Sequence, residues 1–364
     1  MGGTVTGRSA GSSLRRRAVV TGVDRIDVVL ESAPVPVAGE VLVRMALAGI
    51  CGSDLHAVKG RHPFVPLPYH PGHEVIGTVE ALGTGVTEEL LGARVTVEPT
   101  LTCGRCKPCL TERKNLCEYL QFFGCGHAEG GMADSFVIGA DRLFRLPDDL
   151  GDTRAVLIEP LATPVHAVNL AGDVSGRAVA VIGAGTIGLM ALAAVRAHGA
   201  KFVAMVDLDE EKRARALLMG ADVVIDGALD DVAAAVRRAA GESIDVAFDC
   251  VAVQTTLDSA ISMVLKGGTV VVVGVAEQDV KLPLAVIQDQ QVRLQGAATY
   301  TTRDYAEAVE ILRGTLVAAD EIVNCVHDLD DAAAAFTDAA SGHFGKVVVR
   351  GRPNGDGSAR ELER

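Results

Sequence analysis

The chain has no excess of positive charge: 34 Lys and Arg stand against 47 Asp and Glu, a formal net charge of −13 over 364 residues. That argues against a broad nucleic-acid or anionic-membrane surface, since both need a positive field. No apolar run reaches the roughly 18 residues that suggest a membrane span. The first sixteen residues, MGGTVTGRSAGSSLRR, lack acidic side chains and lack the apolar segment of a secretory signal. Met1-Gly2 with Thr6 formally matches an N-myristoylation pattern, but a polar tail over residues 1–16 is the plainer reading. Without a secretory leader, a reducing, cytoplasmic compartment is expected, where Cys-x-x-Cys spacing favours metal over disulfides.

What is present suffices for two cores. Apolar residues make up 49% of the chain and charged residues 22%, ordinary values for a globular protein. Short β-branched runs broken by Gly and Pro fill residues 17–99 and predict an irregular, mostly β unit. Beyond Glu159 the texture changes. AVAVIG, FVAMVD, ADVVID, DVAFDC, TVVVVGV and VRLQGAA alternate with helix-patterned stretches such as TIGLMALAAVRAHG. Continuous apolar strands between amphipathic helices predict a doubly wound parallel sheet, so the chain as a whole reads as α/β. Helical patterns around 305–312 and 330–340 and a closing strand, GKVVVR, could belong to either unit; a tail is expected over 353–364.

AVAVIGAGTIGLMALAAV sets Gly183, Gly185 and Gly188 between a predicted strand and helix, with Thr186 and Ile187 inside the motif. The first glycine permits a tight turn, the second lets the backbone approach a pyrophosphate, and the third allows close helix–strand packing. The pyrophosphate would sit on the helix N-terminus. Asp207 ends the next strand, nineteen residues past Gly188, where a carboxylate can accept from both ribose hydroxyls. It would repel a 2′-phosphate, and Leu208 supplies no cation for one, so NAD is expected in preference to NADP.

A second set of residues carries metal-ligand chemistry. GICGSDLH contributes Cys51, Ser53, Asp54 and His56; PGHEVIG contributes His73 and Glu74; IEPLA contributes Glu159. Sulfur, imidazole and carboxylate are all ligands that zinc accepts. Four further cysteines, Cys103, Cys106, Cys109 and Cys117, crowd into fifteen positions. Cys125, Cys250 and Cys325 lack partners at ligand spacing and read as packing residues.

GICGSDLH, GHEVIGTV, the C-x2-C-x2-C-x7-C loop, EPLA and GAGTIG occur here in the order found in the zinc-dependent medium-chain alcohol dehydrogenases, and the chain resembles that family over residues 18 to 350. The resemblance implies a GroES-like, mostly β catalytic domain over 17–160 and 300–352, with a structural zinc lobe at 100–120. It implies a Rossmann NAD-binding domain over 161–299. It further implies two zinc ions per subunit. Cys51, His73 and Glu159 would hold the catalytic ion, with Glu74 as an alternating ligand or supporting carboxylate and Asp54 accepting from the second nitrogen of His73. The four clustered cysteines would hold the structural ion. A zinc-bound alkoxide would pass hydride to the nicotinamide, its proton leaving through Ser53 and His56, and Thr163 would contact the nicotinamide amide.

Glu159 matches the polyol, butanediol and threonine dehydrogenase branches of that family. Thr299 stands where sorbitol-type enzymes carry arginine, beside a matching Tyr300, and Ala57 stands where they carry an aromatic residue. The expected substrate is therefore a small secondary alcohol or vicinal diol, then a polyol or cyclitol, then threonine. Phe122, Phe123 and His127 are expected near the pocket. A homodimer or homotetramer is implied, without nucleic-acid or membrane partners. The rival readings are an NADPH-dependent carbonyl reductase and a non-catalytic dinucleotide-binding protein.

Overall fold

The computed structural model describes residues 14–62, 65–314 and 317–352. Two sheets organise them. The first begins beside an antiparallel hairpin, β1 (Leu14–Gly22) and β2 (Arg25–Ser32). Its strands are β3 (Glu40–Gly49), β4 (Glu74–Leu82), β5 (Arg94–Val97), β8 (Ser135–Gly139) and β9 (Leu143–Arg145). A short pair, β6 (Thr100–Leu101) with β7 (Gln121–Phe122), lies between β5 and β8 in sequence. Two late strands, β16 (Val323–Asp328) and β17 (Lys346–Arg350), complete the order β16-β17-β3-β4-β5-β9, with β8 also on β3. Alternate residues of these strands, such as Val41, Val43 and Met45, point into one core with Val75, Val95 and Phe136.

The expected tail over 1–16 ends earlier than the sequence suggested. β1 starts at Leu14, and Arg15 is buried because its guanidinium pairs with Glu31 and Glu129 and donates to the Ser135 carbonyl. Paired and hydrogen-bonded, an arginine can enter a core that its sequence context did not advertise. The rest of that tail and the one over 353–364 lie outside the described residues.

The second sheet is six-stranded and entirely parallel: β10 (Ala178–Ile182), β11 (Phe202–Asp207), β12 (Val223–Asp226), β13 (Ile244–Asp249), β14 (Val264–Val272) and β15 (Arg293–Gly296). Its order, β12-β11-β10-β13-β14-β15, reverses direction at β10, as in doubly wound dinucleotide folds. Every residue of β10 is buried, Val179 and Val181 in one cluster and Ala178, Ala180 and Ile182 in the other. That two-faced burial explains the unbroken apolar runs in the sequence.

The helices are α1 (Gly52–Val58), α2 (Lys107–Leu110), α3 (Asp152–Ala155), α4 (Ile158–Ala171), α5 (Thr186–Ala197), α6 (Glu210–Leu218), α7 (Val232–Ala240), α8 (Gln254–Met263), α9 (Leu284–Asp289), α10 (Thr302–Arg313), α11 (Ala319–Ile322) and α12 (Ala332–Ser341). The C-terminal segment serves both sheets. β16 and β17 join the first sheet, whereas α10 packs on α4 and α5. Tyr305 of α10 bonds the Val97 carbonyl at 2.8 Å, and Thr186 Oγ1 of α5 bonds the Gly345 carbonyl at 2.6 Å. These contacts hold the two sheets together across the site.

Candidate active site

The cysteine loop is held at its two ends by the β6–β7 pair. Within it, Cys103 Sγ lies 4.0 Å from Cys109 Sγ and Cys106 Sγ lies 3.8 Å from Cys117 Sγ. A disulfide needs about 2.05 Å, whereas four thiolates around one zinc sit about 3.8 Å apart. All four sulfurs lie within 4.8 Å of one another, and the cysteines are free. The backbone N–H groups of Cys103 and Tyr119 donate to Cys117 Sγ, and that of Cys106 donates to Cys103 Sγ. The backbone N–H of Arg105, helped by that of Cys106, lowers the Cys103 thiol to about 6. These donors favour the Cys103 thiolate, whereas burial raises Cys109 to about 12, so a bound cation would be what keeps all four sulfurs ionised.

The second constellation gathers at the ends of β3 and β4. Cys51 is the N-cap of α1, and Asp54, three residues on, accepts from the Cys51 backbone N–H at 2.9 Å. His73 precedes β4, Glu74 opens it, and both are buried. One ligand atom from each of Cys51, His73 and Glu74 lies within 4.8 Å of the other two. Gly49 makes room for this: a Cβ there would stand 2.0 Å from Glu74 Oε2. Lys346, first residue of β17, donates to Glu74 Oε1 and lies in ion-pair range of Oε2. Oε2 is buried and receives no hydrogen bond of its own.

One expected detail differs. Asp54 does not bond His73: its Oδ1 lies 3.8 Å from Nδ1, and its hydrogen bonds come from Cys51 and the Tyr69 hydroxyl. The capping role at α1 fixes that carboxylate, so it acts on the imidazole as a charge rather than as an acceptor. Glu159 approaches the same group from α4, near enough to act on the charge of His73, and its Oε1 accepts from Tyr300 at 2.7 Å. Burial raises the Glu159 carboxyl to about 7, with Glu74 adding to the rise and His73, Tyr300 and Lys346 opposing it. His73 moves the other way: burial would lower it, but Asp54, Cys51 and Glu159 together hold it well above its usual range.

Ser53 and His56 lie three residues apart on α1, on neighbouring positions of one helix face. Part-exposed His56 faces Glu277, from the loop after β14, at 3.2 Å. Thr163 lies one turn beyond Glu159 on α4 and is partly exposed. Phe122 packs edge-on to the His73 ring, 5.6 Å between centroids. Phe123 is instead buried in the core of the first sheet, with the His127 ring tilted against it at 6.3 Å between centroids. Ala57 is fully buried, so that position forms no pocket wall.

The glycine motif folds as its spacing predicts. Gly183 takes φ +95° directly after β10, and a Cβ on Gly188 would meet the Gly183 carbonyl at 1.8 Å. Gly185 caps α5 with open space before its backbone, leaving room for a diphosphate at the helix N-terminus. Asp207 anchors this loop, accepting from the Ala184 and Asp209 N–H groups at 2.6 and 2.9 Å. The Thr186 hydroxyl is spent on Gly345, and Ile187 packs against the core.

Sequence reading missed Lys346, Tyr69 and Glu277 and gave Tyr300 no partner. A lysine opening an apolar strand, in GKVVVR, was a usable signal for the first; the others depend on contacts between distant elements. Cys325, expected to be a packing residue, has two neighbours with ligand chemistry, His327 and Asp338. Long-range packing of α12 on β16 supplies the second of these.

Comparison with known proteins agrees with this architecture. Residues 37–148 match the alcohol dehydrogenase GroES-like domain, and residues 186–314 match the zinc-binding dehydrogenase family. A sorbitol dehydrogenase of Bacillus subtilis (strain 168) is 33% identical over 84% of this chain and 88% of its own length. An L-idonate 5-dehydrogenase of Vitis vinifera is 34% identical over 72% and 74% respectively. The 2R,3R-butanediol dehydrogenase of Bacillus subtilis superposes with a TM-score of 0.86 at 28% identity, covering 93% of this chain and all of the other (100%). A structure from Sinorhizobium meliloti 1021 solved with bound NADP gives 0.87 at 30% identity, covering 93% and 99%. With both sheets, the glycine turn and the two ligand clusters in place, the chain belongs to the zinc-dependent, NAD(P)-linked medium-chain alcohol dehydrogenases.

Proposed function

We propose that the protein oxidises a small secondary alcohol, vicinal diol or polyol and passes hydride to NAD. The observation that carries this reading is the convergence of Cys51, His73 and Glu74 donor atoms within 4.8 Å of one another. A sulfur, an imidazole and a buried carboxylate are donors that suit zinc. The four cysteine sulfurs suit a second, structural ion. When bound, a catalytic zinc polarises the substrate hydroxyl as a Lewis acid, and NAD accepts the hydride.

The chain's own groups do the rest. Cys51, His73 and Glu159, the last kept in place by Tyr300, would hold the cation, with Glu74, paired with Lys346, as the alternating or supporting carboxylate. Asp54 fixes the N-terminus of α1, and so the position of Cys51. The Ser53 hydroxyl takes the alcohol's proton and hands it on toward the His56 imidazole. His56 is 42% exposed, so it can release that proton to water. Thr163 orients the nicotinamide, and the N-terminus of α5 receives the diphosphate. Asp207 receives the adenosine ribose, and NAD is preferred because Arg213 is already engaged by the Asp207 and Leu208 carbonyls.

Relatives named for sorbitol, idonate and butanediol support the polyol and diol classes. A panel of diols, polyols, threonine and simple alcohols, followed by NADH fluorescence with NAD and NADP compared at equal concentration, tests both parts. Turnover confined to threonine would remove the diol and polyol reading, and a higher rate with NADP would remove the coenzyme preference. Copies are expected to pair along β15, one of the two terminal strands of the parallel sheet, beside the exposed Leu284 of α9, giving a dimer or tetramer in sedimentation. Eight free cysteines suit a reducing, cytoplasmic setting.

A further inference from the structure

We propose that Cys325, His327 and Asp338 form a third metal site, sharing no residue with the catalytic or structural clusters and suited to zinc or a cation of similar softness. Cys325 and His327 are two residues apart on β16, so both side chains leave the same face of that strand. β16 is the terminal strand of its sheet, and α12 packs against it and β17. This packing brings Asp338 of α12 to the pair. Its Oδ2 lies 2.8 Å from His327 Nε2 and 3.8 Å from Cys325 Sγ, and the three ligand atoms all fall within 4.8 Å of one another.

Tetrahedral zinc with bonds of about 2.0–2.3 Å places its ligand atoms about 3.5 Å apart. The 2.8 Å contact is shorter than that value and the 3.8 Å contact longer, so side-chain rotation that opens the first and closes the second completes the geometry. The three donors come from two elements already fixed by packing, and Cys325 and Ala339 rest against the core of the first sheet. The cluster is also reachable, since the His327 and Asp338 side chains are 19% and 40% exposed. A cation could enter from solvent and keep water in its remaining position.

Two competing readings of the same residues fit less well. A cysteine nucleophile requires its thiol hydrogen-bonded to the imidazole, but the Cys325 thiol faces the Asp338 carboxylate, and the imidazole is itself engaged by that carboxylate. A simple His–Asp clip between strand and helix needs no sulfur. The measurement below separates it from a metal site.

The test uses the zinc-loaded protein as purified. It is titrated with Co2+, desalted, and analysed for bound metal per chain and for the thiolate-to-cobalt charge-transfer band. The expected result is one cobalt per chain beyond the resident zinc, with the band. Both should disappear in Cys325→Ser and in His327→Gln while turnover is unchanged. Asp338→Asn, altered at a part-exposed position, gives the same reading should Cys325→Ser fail to fold. Absence of an additional equivalent in the parent protein, or equal uptake and an equal band in the variants, would overturn the site.

Discussion

Tyr300 donates a 2.7 Å hydrogen bond to Oε1 of Glu159, and both side chains are buried. One belongs to the loop before α10 and the other to the first turn of α4. The contact therefore spans elements more than a hundred residues apart in sequence (|i−j| 141). It stabilises the ionised form of a carboxyl that burial raises to about 7.

Tyr300→Phe keeps the ring and removes the donor. A hydrogen bond to a charged group is worth about 1.5–3 kcal/mol, or roughly one to two pKa units. Losing it raises Glu159 further, so the carboxylate is present only at higher pH. The acid limb of the kcat/KM profile should move upward by up to that amount. An unmoved limb would show that the Glu159 charge does not limit turnover.

Cys51→Ser should abolish turnover while leaving NADH binding, read by fluorescence, nearly intact, because the dinucleotide rests on the other sheet. Chelation of the parent protein should have the same effect, reversed by added zinc. Activity that survives both treatments would take Cys51 out of the reaction.

For His56→Ala the expected loss is up to about a hundredfold in kcat, the usual contribution of one proton-transfer group, and it should be largest at low pH. Glu277→Gln removes only the neighbour of His56, at 3.2 Å, and should give a smaller change of the same sign. Identical pH–rate profiles for parent and His56→Ala would discard the relay.

Asp207→Ala should raise the KM for NAD by roughly tenfold or more, since it removes a charged acceptor. The KM for NADP should change little or fall. Comparing the two coenzymes at a fixed alcohol concentration decides the matter; a uniform loss with both would mean that Asp207 serves only to anchor Ala184.

Asp304 joins α10 to α4 by accepting from Thr301, His166 and Asn169. Burial would raise its carboxyl, yet these donors hold it down at about 2. Folding therefore favours the ionised form. The stabilisation is complete above about pH 4 and fades as the pH falls toward 2. Asp304→Asn should lower the unfolding free energy at pH 7 by about 1–2 kcal/mol, with the gap closing in acid. A gap independent of pH would assign the loss to packing instead.

Much of this molecule is local in origin and hence legible along the chain. The parallel sheet announces itself because strands buried on both faces must be apolar throughout, as in AVAVI of β10. The glycine turn is legible because Gly183 and Gly188 answer steric demands within a single strand–turn–helix unit. The cysteine lobe is legible because its ligands share one short loop. Tertiary packing decided what lay between distant segments: Lys346 on Glu74, Tyr300 on Glu159, Glu277 on His56, and Asp338 beside Cys325. It also brought Glu74 and Lys346 beside Cys51 and His73, and gave Asp54 to the cap of α1 rather than to His73. A carboxylate written in a sequence carries its chemistry but not its address, and only the assembled strands and helices fix which partner lies within three ångströms.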